Sequence, residues 1–114
     1  MSLPARHDVA LYRGDTWAQT FRVWEDAIGG TPADLTGATA LAEIREVHGG
    51  ALLAALGVAI TLPNEIGVTL HAAGWDGFPA RSSAVWDLQV TYPGGVVRTL
   101  VSGGVGIVGD VTAT

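Results

Sequence analysis

Glycine spacing constrains the fold of this 114-residue chain more than any other feature of its sequence. Sixteen glycines punctuate short apolar segments, and most of the segments recur about every ten residues, a spacing typical of β-sandwiches and β-barrels. The sequence therefore predicts an all-β protein.

Three regions show the alternation of apolar and polar residues that half-buried strands require. The clearest is residues 85–92, where every second residue is a large apolar one. A strand is also predicted over residues 16–25, and two alternating runs on either side of Pro63-Asn64-Glu65 predict a hairpin. The side chains predicted to face inward are Trp17, Phe21, Val23, Val58, Ile60, Leu62, Ile66, Val68, Leu70, Trp86, Leu88, Val90 and Tyr92.

Residues 38–48 fit two kinds of secondary structure. The apolar residues between Leu41 and His48 recur at a helical spacing, whereas Ala42 and Ile44 fit the inner face of a strand. Periodicity alone does not separate the two. We favour the strand, with Ala42 and Ile44 facing inward, because the surrounding segments are β-like; a helix over Ala38–His48 is the alternative.

These elements add up to seven to nine short strands in a single domain over residues 1–114. Successive hairpins favour antiparallel pairing, and the predicted architecture is an antiparallel, immunoglobulin-like β-sandwich. The chain contains no cysteine. Trp17 and Trp86, rather than a disulfide, are therefore predicted to fill the space between the sheets.

Composition excludes several classes of protein. Hydrophobic residues make up 48% and charged residues 15% of the chain, which excludes intrinsic disorder. The net charge is −5 and the six cations, all arginine, form no basic stripe, so no nucleic-acid partner is expected. No apolar run approaches the roughly 20 residues of a membrane span, and the start of the chain lacks the apolar core of a signal peptide, so no membrane partner is expected.

The residues that carry catalytic or metal chemistry do not form a recognisable pattern. His7, His48 and His71 lie in different segments, and no serine occupies a Gly-x-Ser-x-Gly turn. Glu43 and the glutamate three residues after it would lie on one face, as a catalytic carboxylate pair must, only if this segment were a helix. Asp76 precedes a glycine, and a position in a turn accounts for it without a catalytic role. We therefore expect a non-enzymatic protein with no metal, no cofactor and no small-molecule substrate.

Large aromatic side chains outside the predicted core suggest an interaction surface. Trp24 lies on the outer face of its strand, and Trp75 lies near Phe78 in the 71–83 connection. Tryptophan is enriched among the residues that dominate protein interfaces, and Arg22 and Arg81 would supply polar contacts at the rim. The alternatives are that these tryptophans pack beneath loops, or that they stack on sugar rings in a carbohydrate-binding module.

Short motifs that precede the predicted strands or lie within them are spread along nearly the whole chain. They are Arg13-Gly14-Asp15-Thr16, Ala33-Asp34-Leu35-Thr36-Gly37-Ala38-Thr39, Trp86-Asp87-Leu88-Gln89-Val90-Thr91, Arg98-Thr99-Leu100, and Gly109-Asp110-Val111-Thr112. This arrangement resembles small β-sandwich proteins and domains of tailed bacteriophages, including N-terminal domains of baseplate and tail-fibre components.

The resemblance implies an immunoglobulin-like fold and a structural role in the virion. We expect an assembly subunit of the tail, tail tip or connector, with other virion proteins and copies of itself as partners, assembled in the bacterial host cytoplasm. A decoration protein on the capsid surface is an alternative with the same fold. Longer relatives continue into a fibre or receptor-binding region, so the end of this chain at Thr114 favours a free-standing subunit.

Overall fold

The computed structural model describes residues 5–25, 31–71, 75 and 83–108. Eight strands contain most of these residues, and within those ranges there is no helix long and apolar enough to cross a membrane. In chain order the strands are β1 (Ala5–Arg6), β2 (Val9–Tyr12), β3 (Trp17–Arg22), β4 (Thr39–Arg45), β5 (Leu52–Thr61), β6 (Glu65–Leu70), β7 (Ser83–Thr91) and β8 (Val97–Val108). The predicted all-β fold is confirmed.

The strands form one curled sheet in the order β1-β8-β7-β4-β5-β6-β3, with β2 also paired to β8. The first half of β5, through Leu56, pairs with β4, and the second half, from Gly57, pairs with β6. Because β5 pairs with β4 along its first half and with β6 along its second half, the sheet bends round into a half-barrel. The predicted division into the two sheets of an immunoglobulin-like sandwich is therefore not confirmed.

Strand direction departs from the prediction at one edge of the sheet. All pairings from β8 across to β3 are antiparallel, as predicted. In contrast, β1 and β2 both run parallel to β8. These two strands do not reach β8 through a hairpin, so no tight turn imposes antiparallel pairing on them. The sheet is mixed rather than wholly antiparallel.

The predicted inner face of β7 is confirmed. Ala84, Trp86, Leu88 and Val90 are buried, and the residues between them are partly exposed. They pack with buried side chains of the other strands, which are Leu11, Ala42, Ile44, Leu56, Ile66, Val68, Leu70, Val101, Val105 and Ile107. The core thus lies inside the curl of the sheet.

Residues 39–45 form a strand, as favoured over the helical alternative. β4 pairs with β7 on one side and with β5 on the other, so its main-chain groups are used on both edges. Ala42 and Ile44 are buried, as predicted. An interior position in a sheet overrides the helical spacing of the apolar residues.

The predicted hairpin around Pro63-Asn64-Glu65 is confirmed as β5–β6. Leu62, however, is 56% exposed rather than inward-facing, because it belongs to the turn. Asn64 is buried instead, and its side-chain amide donates a 3.0 Å hydrogen bond to the carbonyl oxygen of Val23. The turn therefore fixes the end of β3.

Candidate functional site

Two of the five predicted interface residues lie near each other, one at the end of β3 and one just beyond it. Arg22 lies opposite Glu65 of β6, and its Nε is 3.6 Å from a carboxylate oxygen of Glu65. Trp24 follows two residues later, on the same side of the chain, and is 42% exposed. The alternation along residues 17–24 places both side chains as the sequence predicts.

Trp75 does not lie on the surface. Its side chain is 6% exposed, and its indole N–H donates a 2.9 Å hydrogen bond to the carbonyl oxygen of Asp15. The guanidinium carbon of Arg13 lies 5.6 Å from the centre of the ring. The indole is therefore enclosed by an internal acceptor and the core, which does not favour the predicted contact of Trp75 with a partner.

These contacts make the Arg13-Gly14-Asp15 tripeptide a structural turn between β2 and β3. Gly14 has a positive φ of 93°, a conformation that favours glycine. The turn is closed by a 3.0 Å hydrogen bond from the Asp15 N–H to the Tyr12 carbonyl oxygen. The other two predicted interface residues, Phe78 and Arg81, lie outside the described residues, as does Asp76.

We expect Trp75→Phe to lower the free energy of unfolding by about 1 kcal/mol, the usual net value of one hydrogen bond. Phenylalanine keeps an aromatic ring in the site but removes the N–H that reaches Asp15. Urea unfolding measures the change, with Trp24→Phe as the matched control at an exposed position. Equal stability of the Trp75→Phe variant and the parent would show that the hydrogen bond to the turn contributes nothing.

A polar cleft of about 310 Å³ lies on the outer face of the sheet, between β4 and β7. Glu43 and Arg45 of β4 line it together with Asp87 and Gln89 of β7, and His48 is a further lining residue. Glu43 and Asp87 are direct partners in the strand pairing. The cleft therefore brings two carboxyl groups onto one partly buried surface.

The charges in this cleft are only partly balanced. Arg45 is 3.0 Å from a carboxylate oxygen of Glu43 and donates a 2.8 Å hydrogen bond to the carbonyl oxygen of Gly50. Burial raises the pKa of Asp87, and the neighbouring Glu43 carboxylate raises it further, against the opposing charges of Arg45 and His48. Asp87 is thus a carboxyl group that folding makes easier to protonate.

The described lining of the cleft offers acidic, basic and amide side chains. None of its described lining residues carries a hydroxyl or thiol nucleophile. Among the residues that the structure describes, no group of three or more histidine or acidic side chains could hold a metal ion. What remains is a polar surface whose charge depends on pH.

The sequence does not predict this cleft. Alternation places Glu43 and Asp87 on the outer faces of their strands, where each is expected to be solvated. Only the pairing of β4 with β7 brings the two carboxyl groups side by side. A search for acidic residues on the outer faces of strands, without knowledge of their pairing, would find each residue but not the pair.

We expect Asp87→Asn to stabilise the protein at neutral pH, by up to about 0.5 kcal/mol, the usual scale at a partly exposed position. Because folding raises the pKa of Asp87, its contribution to stability is most favourable below the unfolded pKa and declines as the pH rises through the folded pKa. Thermal unfolding at pH 4 and pH 7 measures this, and the gain should appear at pH 7 alone.

Asp34→Asn is the control, and we expect it to change stability at neutral pH in the opposite direction. The hydroxyl and main-chain N–H of Thr36 lower the pKa of Asp34, so that carboxylate supports the folded state at neutral pH and its contribution is lost on acidification. This substitution should lower the midpoint at pH 7. A lower midpoint for Asp87→Asn as well would contradict the charge balance inferred for the cleft.

His7 links opposite parts of the curled sheet. Its Nε2 lies 3.1 Å from the side-chain oxygen of Gln19 on β3, and its ring centre is 5.4 Å from that of Phe21. The carbonyl oxygen of His7 accepts a 2.8 Å hydrogen bond from the indole N–H of Trp86. The segment between β1 and β2 therefore helps to hold β3 across the core. His48 lines the outer cleft instead, so these two histidines do not form a common site.

One edge of β3, called its free edge below, pairs with no strand in the described part of the chain. Val23 donates to Asn64 through its N–H and accepts from the Asn64 side chain through its carbonyl oxygen, so the main chain of Val23 faces the β5–β6 turn. The pairing of β3 with β6 has no register shift. Because main-chain groups alternate along a strand, the N–H and C=O groups of Ala18, Thr20 and Arg22 face away from β6. No described strand pairs with them.

Comparison with known proteins gives no match, either among protein-family models or among curated proteins.

Proposed function

We propose that this protein is a non-enzymatic structural subunit of a tailed-bacteriophage virion, located at the tail, tail tip or connector. The observation that carries the proposal is the free edge of β3, which offers three outward-facing pairs of main-chain groups beside the exposed Arg22 and Trp24. An edge of this kind is a template for pairing with another chain. Its partners would be copies of itself and other virion proteins, joined during assembly in the bacterial host cytoplasm.

The turn motifs support the phage part of the proposal. Gly14 and Gly37 both have positive φ values, 93° and 77°, in the turns that precede β3 and β4. Between them, Asp34 accepts a 2.9 Å hydrogen bond from the main-chain N–H of Thr36. Two of the motifs that carry the resemblance to phage virion domains thus shape turns of this chain, whereas Trp86–Thr91 and Arg98–Leu100 lie within β7 and β8. The resemblance concerns architecture rather than chemistry.

We also propose that the half-barrel is a variant of the immunoglobulin-like sandwich. The ring of Trp86 lies 5.6 Å from that of Phe21 and 6.1 Å from that of Trp17, so β7 and β3 face each other across the core as opposed sheets would. The continuous β5 is the main departure from that plan. An experimental structure in which β5 keeps its hydrogen bonds through Leu56 and Gly57, with β3 remote from β7, would contradict this relationship.

A carbohydrate-binding role has less support. It depends on exposed aromatic rings that stack on sugars, and the structure buries Trp75. Trp24 is then the one exposed tryptophan in the described part of the chain.

The proposal is tested on particles of the phage that encodes the chain. After gradient purification, quantitative mass spectrometry should find the chain in the particle band, in several copies per particle and enriched over host proteins from the same lysate. Detection of the chain in the lysate but not in the band would overturn the proposal. Electron cryo-microscopy of the same particles would then give its position and separate a tail subunit from a capsid decoration protein.

A further inference from the structure

We infer that two copies of this chain pair through β3, antiparallel to each other, about a two-fold axis at Thr20. The inference rests on the proposed assembly role, since it names the partner of the surface that carries that role. It assigns the free edge of β3 to a second copy of the same strand.

Within the described residues, β3 lacks four features that normally prevent edge-to-edge pairing. Such features are very short strands, bulges, prolines and lysines. β3 is six residues long, contains no proline or lysine, and keeps an unbroken register with β6. At the opposite edge of the sheet, β1 and β2 are only two and four residues long and are interrupted at His7 and Asp8. β3 is therefore the stronger template.

Main-chain geometry selects the register of the pairing. The outward-facing groups belong to Ala18, Thr20 and Arg22, so the middle of the edge is Thr20. With the axis at Thr20, its N–H and C=O meet those of Thr20 in the second copy, and Ala18 meets Arg22 of the second copy on each side. All six outward N–H groups in the two strands then find a carbonyl acceptor. A shift of the axis to Gln19 or Phe21 leaves some of them beyond the end of the opposing strand.

The side chains agree with this register. On the outer face, two threonines meet at the axis, a favourable cross-strand pair. Each Arg22 lies opposite the small Ala18 of the other copy and keeps its own Glu65 beside it. No two like charges meet across the seam. The positively charged Arg22 lies between the neutral Ala18 of the other copy and the carboxylate of Glu65 in its own chain. Such a seam is small, so we expect a dimer that forms as concentration rises.

Sedimentation velocity over a concentration series tests the inference on the purified chain. Thr20→Lys places two lysines directly opposite each other at the axis, and we expect it to weaken dimerisation by about tenfold or more. Thr61→Lys is the matched control, because it adds the same charge to an exposed threonine on β5, which is an interior strand. This control should dimerise like the parent, and circular dichroism should show both variants folded.

A second variant keeps the test independent of charge. Because the parent has no cysteine, Thr20→Cys introduces a single thiol at the axis. Opposed residues in a hydrogen-bonded pair have Cα atoms about 5.5 Å apart, within the range of a disulfide. Mild oxidation should link Thr20→Cys into a dimer faster than it links Thr61→Cys.

A chain that stays monomeric at all concentrations would overturn the inference, and so would a dimer that Thr20→Lys and Thr61→Lys affect equally. These results are distinct from failure of the proposed function. A β3-linked dimer that is missing from purified particles leaves the inference standing and overturns the virion role. A monomeric chain that is present in particles overturns the inference and leaves the virion role standing.

Discussion

We expect Trp86→Ala to lower the free energy of unfolding by about 3–5 kcal/mol, the range for removal of a buried aromatic side chain. Trp86 is 2% exposed and its ring contacts those of Trp17 and Phe21 on the facing strand. Its indole N–H also donates to the carbonyl oxygen of His7, which alanine would leave without that donor. The variant therefore loses packing and a hydrogen bond together.

Urea unfolding with a fixed m-value measures this loss. Trp24→Ala is the matched control, because it removes the same side chain from an exposed site, and we expect it to cost less than about 1 kcal/mol. A loss below about 1 kcal/mol for Trp86→Ala would place this ring at the periphery and would mean that β7 presents its other face to the core.

The second large effect is expected at Gly103. A Cβ atom at this position would overlap the carbonyl oxygen of His7 and lie 2.6 Å from its carbonyl carbon. Because both atoms belong to the main chain, no side-chain rotation relieves the clash. The segment between β1 and β2 would have to move, and the acceptor of the Trp86 N–H would move with it. We expect Gly103→Ala to cost about 3 kcal/mol, the upper end of the range for overpacking.

Gly106→Ala on the same strand is the control for this substitution. Its nearest contact would be the Val9 carbonyl oxygen at 3.9 Å, an ordinary van der Waals distance, and we expect a change below about 1 kcal/mol. Equal stability of the Gly103→Ala and Gly106→Ala variants would contradict the close crossing of the chain over β8. Amide hydrogen exchange would show the local effect, as faster exchange of the His7 N–H that donates to Ser102.

Elements that depend on local pattern could be predicted from the sequence. Alternation in β7 identifies Trp86, Leu88 and Val90 as buried, and the turn at Pro63-Asn64-Glu65 identifies a hairpin. β4 was predictable as a strand only from its surroundings, because the helical spacing of its apolar residues competed with the strand pattern. In each case the information lies within a few neighbouring residues.

Features that depend on distant pairing could not be predicted in this way. The burial of Trp75 depends on an acceptor 60 residues away at Asp15, and the cleft depends on Glu43 lying opposite Asp87. The continuous β5 depends on two partners, β4 and β6, which lie on either side of it in the sheet. Periodicity describes one strand at a time and carries no information about its neighbours in the sheet.

The parallel pairing of β1 and β2 with β8 has a consequence for biosynthesis. Val9 pairs with Val105, so β2 cannot pair with β8 until the ribosome has synthesised almost a hundred further residues. Contacts this distant in sequence slow folding, because the loop between them has to close before they form. Until β8 emerges, β1 and β2 have no described partner and the growing chain exposes the apolar residues that they later cover. The sheet is thus completed only once β8 has been synthesised and pairs with strands that lie almost a hundred residues earlier in the sequence.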